Sequence, residues 1–139
     1  MKKIRVAIVD DNAVIRSSVR RVLSGHHQIE LVGEATNGAE ALLLVEKNRL
    51  DVLVLDMEMP VMNGVDVLIT LQKKGMPVKV VVLSVYNDDL FVQSILEHGA
   101  VDYVTKEEGP RRILSAILKA GMSALAAKQI ENGRSLVSE

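Results

Sequence analysis

Five polar side chains in this sequence are of types that, brought together, do chemistry on phosphate. Asp10 and Asp11 stand side by side after the apolar run IRVAIV, Asp56 closes DVLVLD, Ser84 closes KVVVLS, and Lys106 follows DYVT. Adjacent carboxylates at the end of a buried strand are costly unless a cation or a proton offsets their repulsion. Three of them suit a hard cation with oxygen ligands and retained waters, which is Mg²⁺, and Mn²⁺ could substitute. A metal held by Asp10, Asp11 and Asp56 would also carry phosphate oxygens. Lys106 would add positive charge from the opposite side, and Ser84 a hydrogen bond to a third oxygen. Positioning and charge neutralisation are what phosphoryl transfer needs. A carboxylate can be the nucleophile by forming an aspartyl phosphate, and Asp56, between the acid pair and Ser84, is the best candidate.

Taken singly, each residue has a plainer explanation. An Asp pair before a helix is usually a cap or turn, and a strand-end Asp a turn residue. A lone Ser usually hydrogen-bonds local backbone, and a lone Lys is usually a solvated charge. Their common position, each at the carboxyl end of a strand, is what makes separate bland readings poor.

That position follows from the pattern of elements. Apolar runs at Ile4–Val9, Ile29–Ala35, Asp51–Leu55, Lys79–Leu83 and Asp102–Thr105 read as strands. Helical stretches separate them. Val14, Ile15, Val19, Val22 and Leu23 recur on one face of the first, and Asn37–Asn48, Val65–Lys74 and Asp88–His98 follow. A fifth helix starts near Pro110, a residue suited to a first helical turn. Such alternation implies an α/β fold, a doubly wound five-stranded parallel sheet with five crossover helices on both faces. The first, third and fourth strands are the most continuously apolar and so central, which gives the order 2-1-3-4-5. Ligands of such sheets bind beyond the carboxyl ends of the strands, at the switch in strand order.

Composition narrows the classes further. A chain of 139 residues fits one domain, is 48% apolar and carries a formal net charge of −1. Near-neutrality gives no case for nucleic acid or an anionic membrane surface. Without cysteine there are no disulfides or thiolate metal sites, and a reducing cytoplasm suits the chain. No stretch reads as long and uncharged enough to span a bilayer. The last segment, GMSALAAKQIENGRSLVSE, reads as about ten further helical residues and then a polar tail. The chain thus divides into a domain over 1–121 and a helical extension with polar tail over 122–139.

The motifs VDDN (9–12), LDMEMPVMNG (55–64), VLSVY (82–86) and DYVTK (102–106) together resemble the receiver domain of two-component response regulators, over about residues 4 to 120. The receivers closest in pattern are those of helix-turn-helix transcription regulators and stand-alone receivers. The resemblance implies the flavodoxin-like fold with the strand order above. It implies that Asp56 accepts a phosphoryl group from a sensor histidine kinase or phosphotransfer protein. Asp11, Asp56 and the carbonyl of Met57 would bind Mg²⁺, with Asp10 acting through water. Ser84 would be the switch hydroxyl, Tyr103 the switch aromatic and Lys106 the phosphate-pairing lysine. The surface of the fourth helix, fifth strand and fifth helix would then signal to an output domain or partner. Self-phosphorylation from small phosphodonors and slow self-dephosphorylation are expected, rather than an enzyme's turnover.

Glu58 and Tyr86 lie two residues past Asp56 and Ser84, positions that in receivers tune phosphoryl hydrolysis. Pro60, Asn63 and Gly64 would shape the loop after Asp56. Most receivers have proline after the lysine; here Glu107 stands there, so a trans bond is expected. Glu107 and Glu108 would favour the dipole of the last helix. The chain alone should not bind DNA. A homodimer through the output face would use Arg111, Arg112 and Leu118. Two alternatives remain: a receiver-like module that needs no phosphate, and an aspartyl-nucleophile phosphohydrolase. Against the latter, the window after the first strand reads Asp10-Asp11-Asn12 and not Asp-x-Asp, and no cap domain follows. A flavin module would want an anion-accepting loop where the two aspartates stand.

Overall fold

The alternation of strand and helix is realised in full. The computed structural model describes the backbone of residues 2–137 and the side chains of 2–133. It shows β1 (Ile4–Val9), α1 (Ala13–Ser24), β2 (Ile29–Ala35), α2 (Gly38–Lys47), β3 (Val52–Asp56), α3 (Gly64–Lys74), β4 (Lys79–Ser84), α4 (Asp89–Glu97), β5 (Asp102–Thr105) and α5 (Pro110–Val137). All strand pairs are parallel and the order is β2-β1-β3-β4-β5, as expected.

Period-two alternation divides the central strands between two cores. Ala7, Val9, Leu53, Leu55, Val80 and Val82 face α2 and α3, meeting Ala41, Val45, Val67, Leu68 and Leu71. Ile4, Val6, Ile8, Val52, Val54, Val81 and Leu83 face α1 and α5, meeting Val19, Leu23, Ile113, Ala116 and Ile117. Because β1, β3 and β4 are covered on both sides, their polar residues can only lie at the ends. The switch in strand order falls between β1 and β3, so the residues after those two strands share one crevice.

Caps explain the helix boundaries. Asn12, Asn37 and Asn63 are N-caps whose side chains accept backbone N–H groups of the first turns of α1, α2 and α3. Asn63–Gly64 is therefore a helix start rather than a free turn. α4 is the exception: its N-cap, Asp88, makes no side-chain hydrogen bond, and Ile95 is its single buried residue.

Two expectations change. Residues 131–137 are helical and not a polar tail, while Ser138 and Glu139 lie outside the described residues. The Ala-rich run 124–127 favours helix, and Lys128 ties the extension to the sheet by a 2.5 Å ion pair with Asp51. Secondly, Pro110–Gly133 is long and apolar enough by composition to cross a membrane. Within it Ile113, Ala116, Ile117, Ala120 and Ala124 are buried in the core, while Met122 and Ile130 are exposed.

Candidate functional site

The carboxyl rim of the sheet gathers the residues singled out in the sequence. Asp10 leaves β1 fully buried, Asp56 ends β3 fully buried and Ser84 ends β4 fully buried. Asp11 is exposed. Oxygens of Asp10, Asp11 and Asp56 lie within 4.8 Å of one another, a spacing that fits one small cation. Lys106 follows β5 and reaches both buried acids, with Nζ 3.1 Å from Asp10 Oδ2 and 3.2 Å from Asp56 Oδ1.

The local backbone fixes these side chains. Asp10 Oδ1 accepts the Asn12 N–H at 2.9 Å, and its carbonyl accepts Arg16 Nη1 at 2.8 Å. Asp56 Oδ1 accepts the Glu58 N–H at 3.2 Å. The loop after β3 turns back sharply, so that the Gly64 N–H donates to the Met57 carbonyl at 3.1 Å. One lone pair of that carbonyl remains for another ligand. A Cβ at Gly64 would lie 2.4 Å from the Asp56 carbonyl oxygen, so only glycine permits this approach. Val61, at the loop's tip, takes φ 69° and is 85% exposed.

Asp56 Oδ2 is buried with no hydrogen-bond partner among the described residues. Burial pushes the Asp56 carboxyl up to about 7. The Glu58 N–H works against this, the Asp10 charge adds to it, and Lys106 opposes it. For Lys106, burial acts to lower the pKa, but the two carboxylates outweigh it and the ammonium is held above its usual range. An orphaned, hard-to-charge carboxylate oxygen between two other acids is what a divalent cation would satisfy. The donor set therefore fits Mg²⁺.

The departure at Glu107 leaves the site intact. No described peptide bond is cis, the Lys106–Glu107 bond included. Lys106–Glu108 form a 3₁₀ turn closed by a capping box, in which Glu108 accepts the Thr105 N–H at 2.7 Å. Glu108 also approaches Arg112, which pairs with Asp102 at 3.1 Å. Glu108 thus serves a short turn before α5, and the acids that pair with Lys106 are Asp10 and Asp56.

Beside the acids, Ser84 Oγ accepts the Tyr86 N–H at 3.1 Å. The Tyr103 hydroxyl donates to the Tyr86 carbonyl. Burial pushes the Tyr103 phenol up, the nearby Ser84 hydroxyl works the other way, and the Glu58 charge adds to the rise. Glu58 and Tyr86 are exposed at the mouth of the site. Of the residues considered for a dimer, Arg111 is exposed, Arg112 is engaged by Asp102, and Leu118 packs against the core. Sequence reasoning missed Arg16, which clamps the Asp10 carbonyl, and Phe91, which stands edge-on between Tyr86 and Tyr103. Arg16 reads as one of several charges on the outer face of α1, so nothing marks it. Phe91 carried a signal, being the one phenylalanine of the chain in the first turn of α4.

Over most of its length the chain is similar to known proteins. The model of the response regulator receiver domain matches residues 6–118. The transcriptional regulatory protein DegU of Brevibacillus brevis is 36% identical over 115 residues, covering 83% of this chain and 49% of its own length. The protein-glutamate methylesterase/protein-glutamine glutaminase of Geobacillus kaustophilus is 43% identical over 114 residues, covering 79% of this chain and 32% of its own. This chain spans about half the length of these curated relatives or less. The signal receiver domain of response regulator NarL from Mycobacterium tuberculosis matches with a TM-score of 0.83 at 32% identity, over 88% of this chain and 98% of that one. The family model spans most of this chain, which belongs to the family of two-component response regulator receiver domains.

Proposed function

We propose that Asp56 accepts a phosphoryl group, in a Mg²⁺-dependent reaction, from a phosphohistidine of a sensor histidine kinase or phosphotransfer protein. The observation that carries this is Asp56 Oδ2, buried and unpartnered between two acids and a lysine. In the transfer a carboxylate oxygen of Asp56 attacks phosphorus. The O–P bond forms as the P–N bond breaks, and the imidazole leaves with the electron pair and takes a proton from water. Asp10, Asp11, Asp56 and the free lone pair of the Met57 carbonyl would hold Mg²⁺, which supplies charge neutralisation for the acids and the incoming phosphoryl oxygens. Lys106 pairs with a phosphoryl oxygen once Asp56 carries the acyl phosphate, and Ser84 donates its hydroxyl to another.

The domain over 1–121 forms the phosphoacceptor, and residues 122–137 of the extension over 122–139 prolong α5 beyond it. The face of α4, β5 and α5 carries the signal to an output domain or partner protein in the cytoplasm. Tyr86, 55% exposed beside Ser84, screens the phosphoryl group from water. Tyr86→Ala should then shorten the phosphoryl half-life; an unchanged or longer half-life removes that role.

Intact mass after incubation with Mg²⁺ and a small acyl phosphate tests the main reading. One alkali-labile phosphoryl group in the native chain, absent in EDTA and in Asp56→Asn, supports it. No uptake with Mg²⁺ bound favours a module that needs no phosphate. Steady release of phosphate with no adduct favours a phosphohydrolase.

A further inference from the structure

The start of α4 is held differently from those of α1, α2 and α3. They are closed by an asparagine side chain, whereas Asp88 caps nothing and the first turn of α4 buries no residue fully. What the turn does present is Phe91. Its ring meets Tyr86 edge-on at 6.0 Å and 78°, and Tyr103 edge-on at 6.2 Å and 85°. Both contacts have the geometry in which aromatic pairs attract beyond their buried area. The two tyrosines are joined to each other and to the acid rim by polar links. Ser84 Oγ accepts the Tyr86 N–H, and the Tyr86 carbonyl accepts the Tyr103 hydroxyl. Phe91 therefore closes a ring of contacts that begins at Ser84.

We infer that Phe91 is a positioning residue that transmits displacement of the Ser84 hydroxyl to the first turn of α4. This rests on the phosphoacceptor reading, because the displacement is the one a phosphoryl group on Asp56 would cause. When Ser84 turns toward that group, the Tyr86 N–H bonded to it is drawn along or released. The Tyr86 carbonyl and the Tyr103 hydroxyl bonded to it shift in turn. Phe91 touches both rings, so neither tyrosine can move without changing its seat. The turn yields because neither a cap nor a fully buried side chain holds it independently. The exposed Asp88, Asp89 and Leu90 then change their presentation to a partner.

The composition supplies a selective probe. The chain has two tyrosines and no tryptophan, and both tyrosines lie in this ring. Fluorotyrosine-labelled protein gives two fluorine signals that report on the ring alone, while amide exchange of residues 88–93 reports on the turn. Both are read with and without beryllofluoride and Mg²⁺, a phosphoryl mimic, in the native chain and Phe91→Leu. In the native chain both fluorine signals shift and exchange in the turn changes by at least about fivefold. In Phe91→Leu the fluorine signals still respond, the turn no longer does, and Phe91→Tyr restores the response of the turn. An equal exchange response in Phe91→Leu and the native chain overturns the role of Phe91 while leaving the phosphoacceptor reading standing. No response of either kind in the native chain, with Mg²⁺ bound, overturns that reading and the inference with it. If Phe91→Leu does not fold, Phe91→Tyr decides: a lost exchange response in that folded variant, which keeps the ring, counts against the inference.

Discussion

β3 has a buried aspartate at each end, and the two are treated in opposite ways. Asp51, just before the strand, is 2% exposed and has both oxygens engaged: Oδ2 accepts the Arg5 N–H at 2.8 Å, and Oδ1 meets Lys128 Nζ at 2.5 Å. Asp56, at the far end, is fully buried, shares Oδ1 between the Glu58 N–H and Lys106, and leaves Oδ2 with no hydrogen-bond partner among the described residues. A partnered buried charge belongs to the architecture. An unpartnered one is a cost that the fold carries for something outside itself. The same strand thus separates a residue that holds α5 to the sheet from one whose unsatisfied oxygen the proposed function would use.

Substitution should expose this contrast, and its largest effect falls at the structural end. Asp51→Ala orphans the Arg5 N–H and strips Lys128 of its partner, and should cost about 3 kcal/mol in urea unfolding. A loss as small as that of a surface change would mean that Asp51 is not a structural tie. At Asp56 the sign reverses. Its folded pKa of about 7 lies above the ordinary value of 3.8. The folded state therefore favours the protonated acid. That contribution is whole below pH 4, declines as pH rises toward 7, and stays lost above it. In EDTA, Asp56→Asn should raise Tm by on the order of 5 °C at pH 8, with a smaller gain at pH 5. A gain that grows toward acid would contradict the burial cost assigned to Asp56.

Lys128→Met keeps the aliphatic stem of a side chain that is 31% exposed but removes its ammonium. Water can reach Asp51 in its place, so the loss should be about 1 kcal/mol, with faster amide exchange over residues 122–133. Unchanged exchange there would show that the extension docks without the ion pair. The smallest effect belongs to the loop after Asp56. Val61 is β-branched at φ 69°, and Val61→Gly should gain up to about 1 kcal/mol by relieving that backbone, less what glycine loses in the unfolded chain. A net loss on thermal unfolding would mean that the Val61 side chain contributes a contact that outweighs the strain.

How much of this was legible in the sequence follows from what sets each feature. The sheet order was legible because β1, β3 and β4 are the most continuously apolar strands, Arg5 near the start of β1 being the one charge inside them, and such runs suit central strands. The acid rim followed from it, since Asp10, Asp56 and Ser84 each interrupt such a run at its carboxyl end. The trans Lys106–Glu107 bond followed from the cost of a non-proline cis peptide. Other features depend on distances that no local pattern encodes. Lys128 reaches Asp51 across 77 positions, and the end of α5 could not be read without it. The ring formed by Tyr86, Phe91 and Tyr103 joins three elements whose spacing has no common period. Asn63–Gly64 carries the signal of a free turn, yet the residues around it make it the start of α3.

The most direct test is to locate the phosphoryl group itself. After incubation with Mg²⁺ and a small acyl phosphate, borohydride reduces an aspartyl phosphate to homoserine, and peptide mass spectrometry finds the residue. The account predicts homoserine at position 56, with Asp10, Asp11 and Asp51 unchanged. Homoserine at any of those three, or none at position 56 in protein shown to bind Mg²⁺, would contradict the claim that the unpartnered carboxylate of β3 is the acceptor.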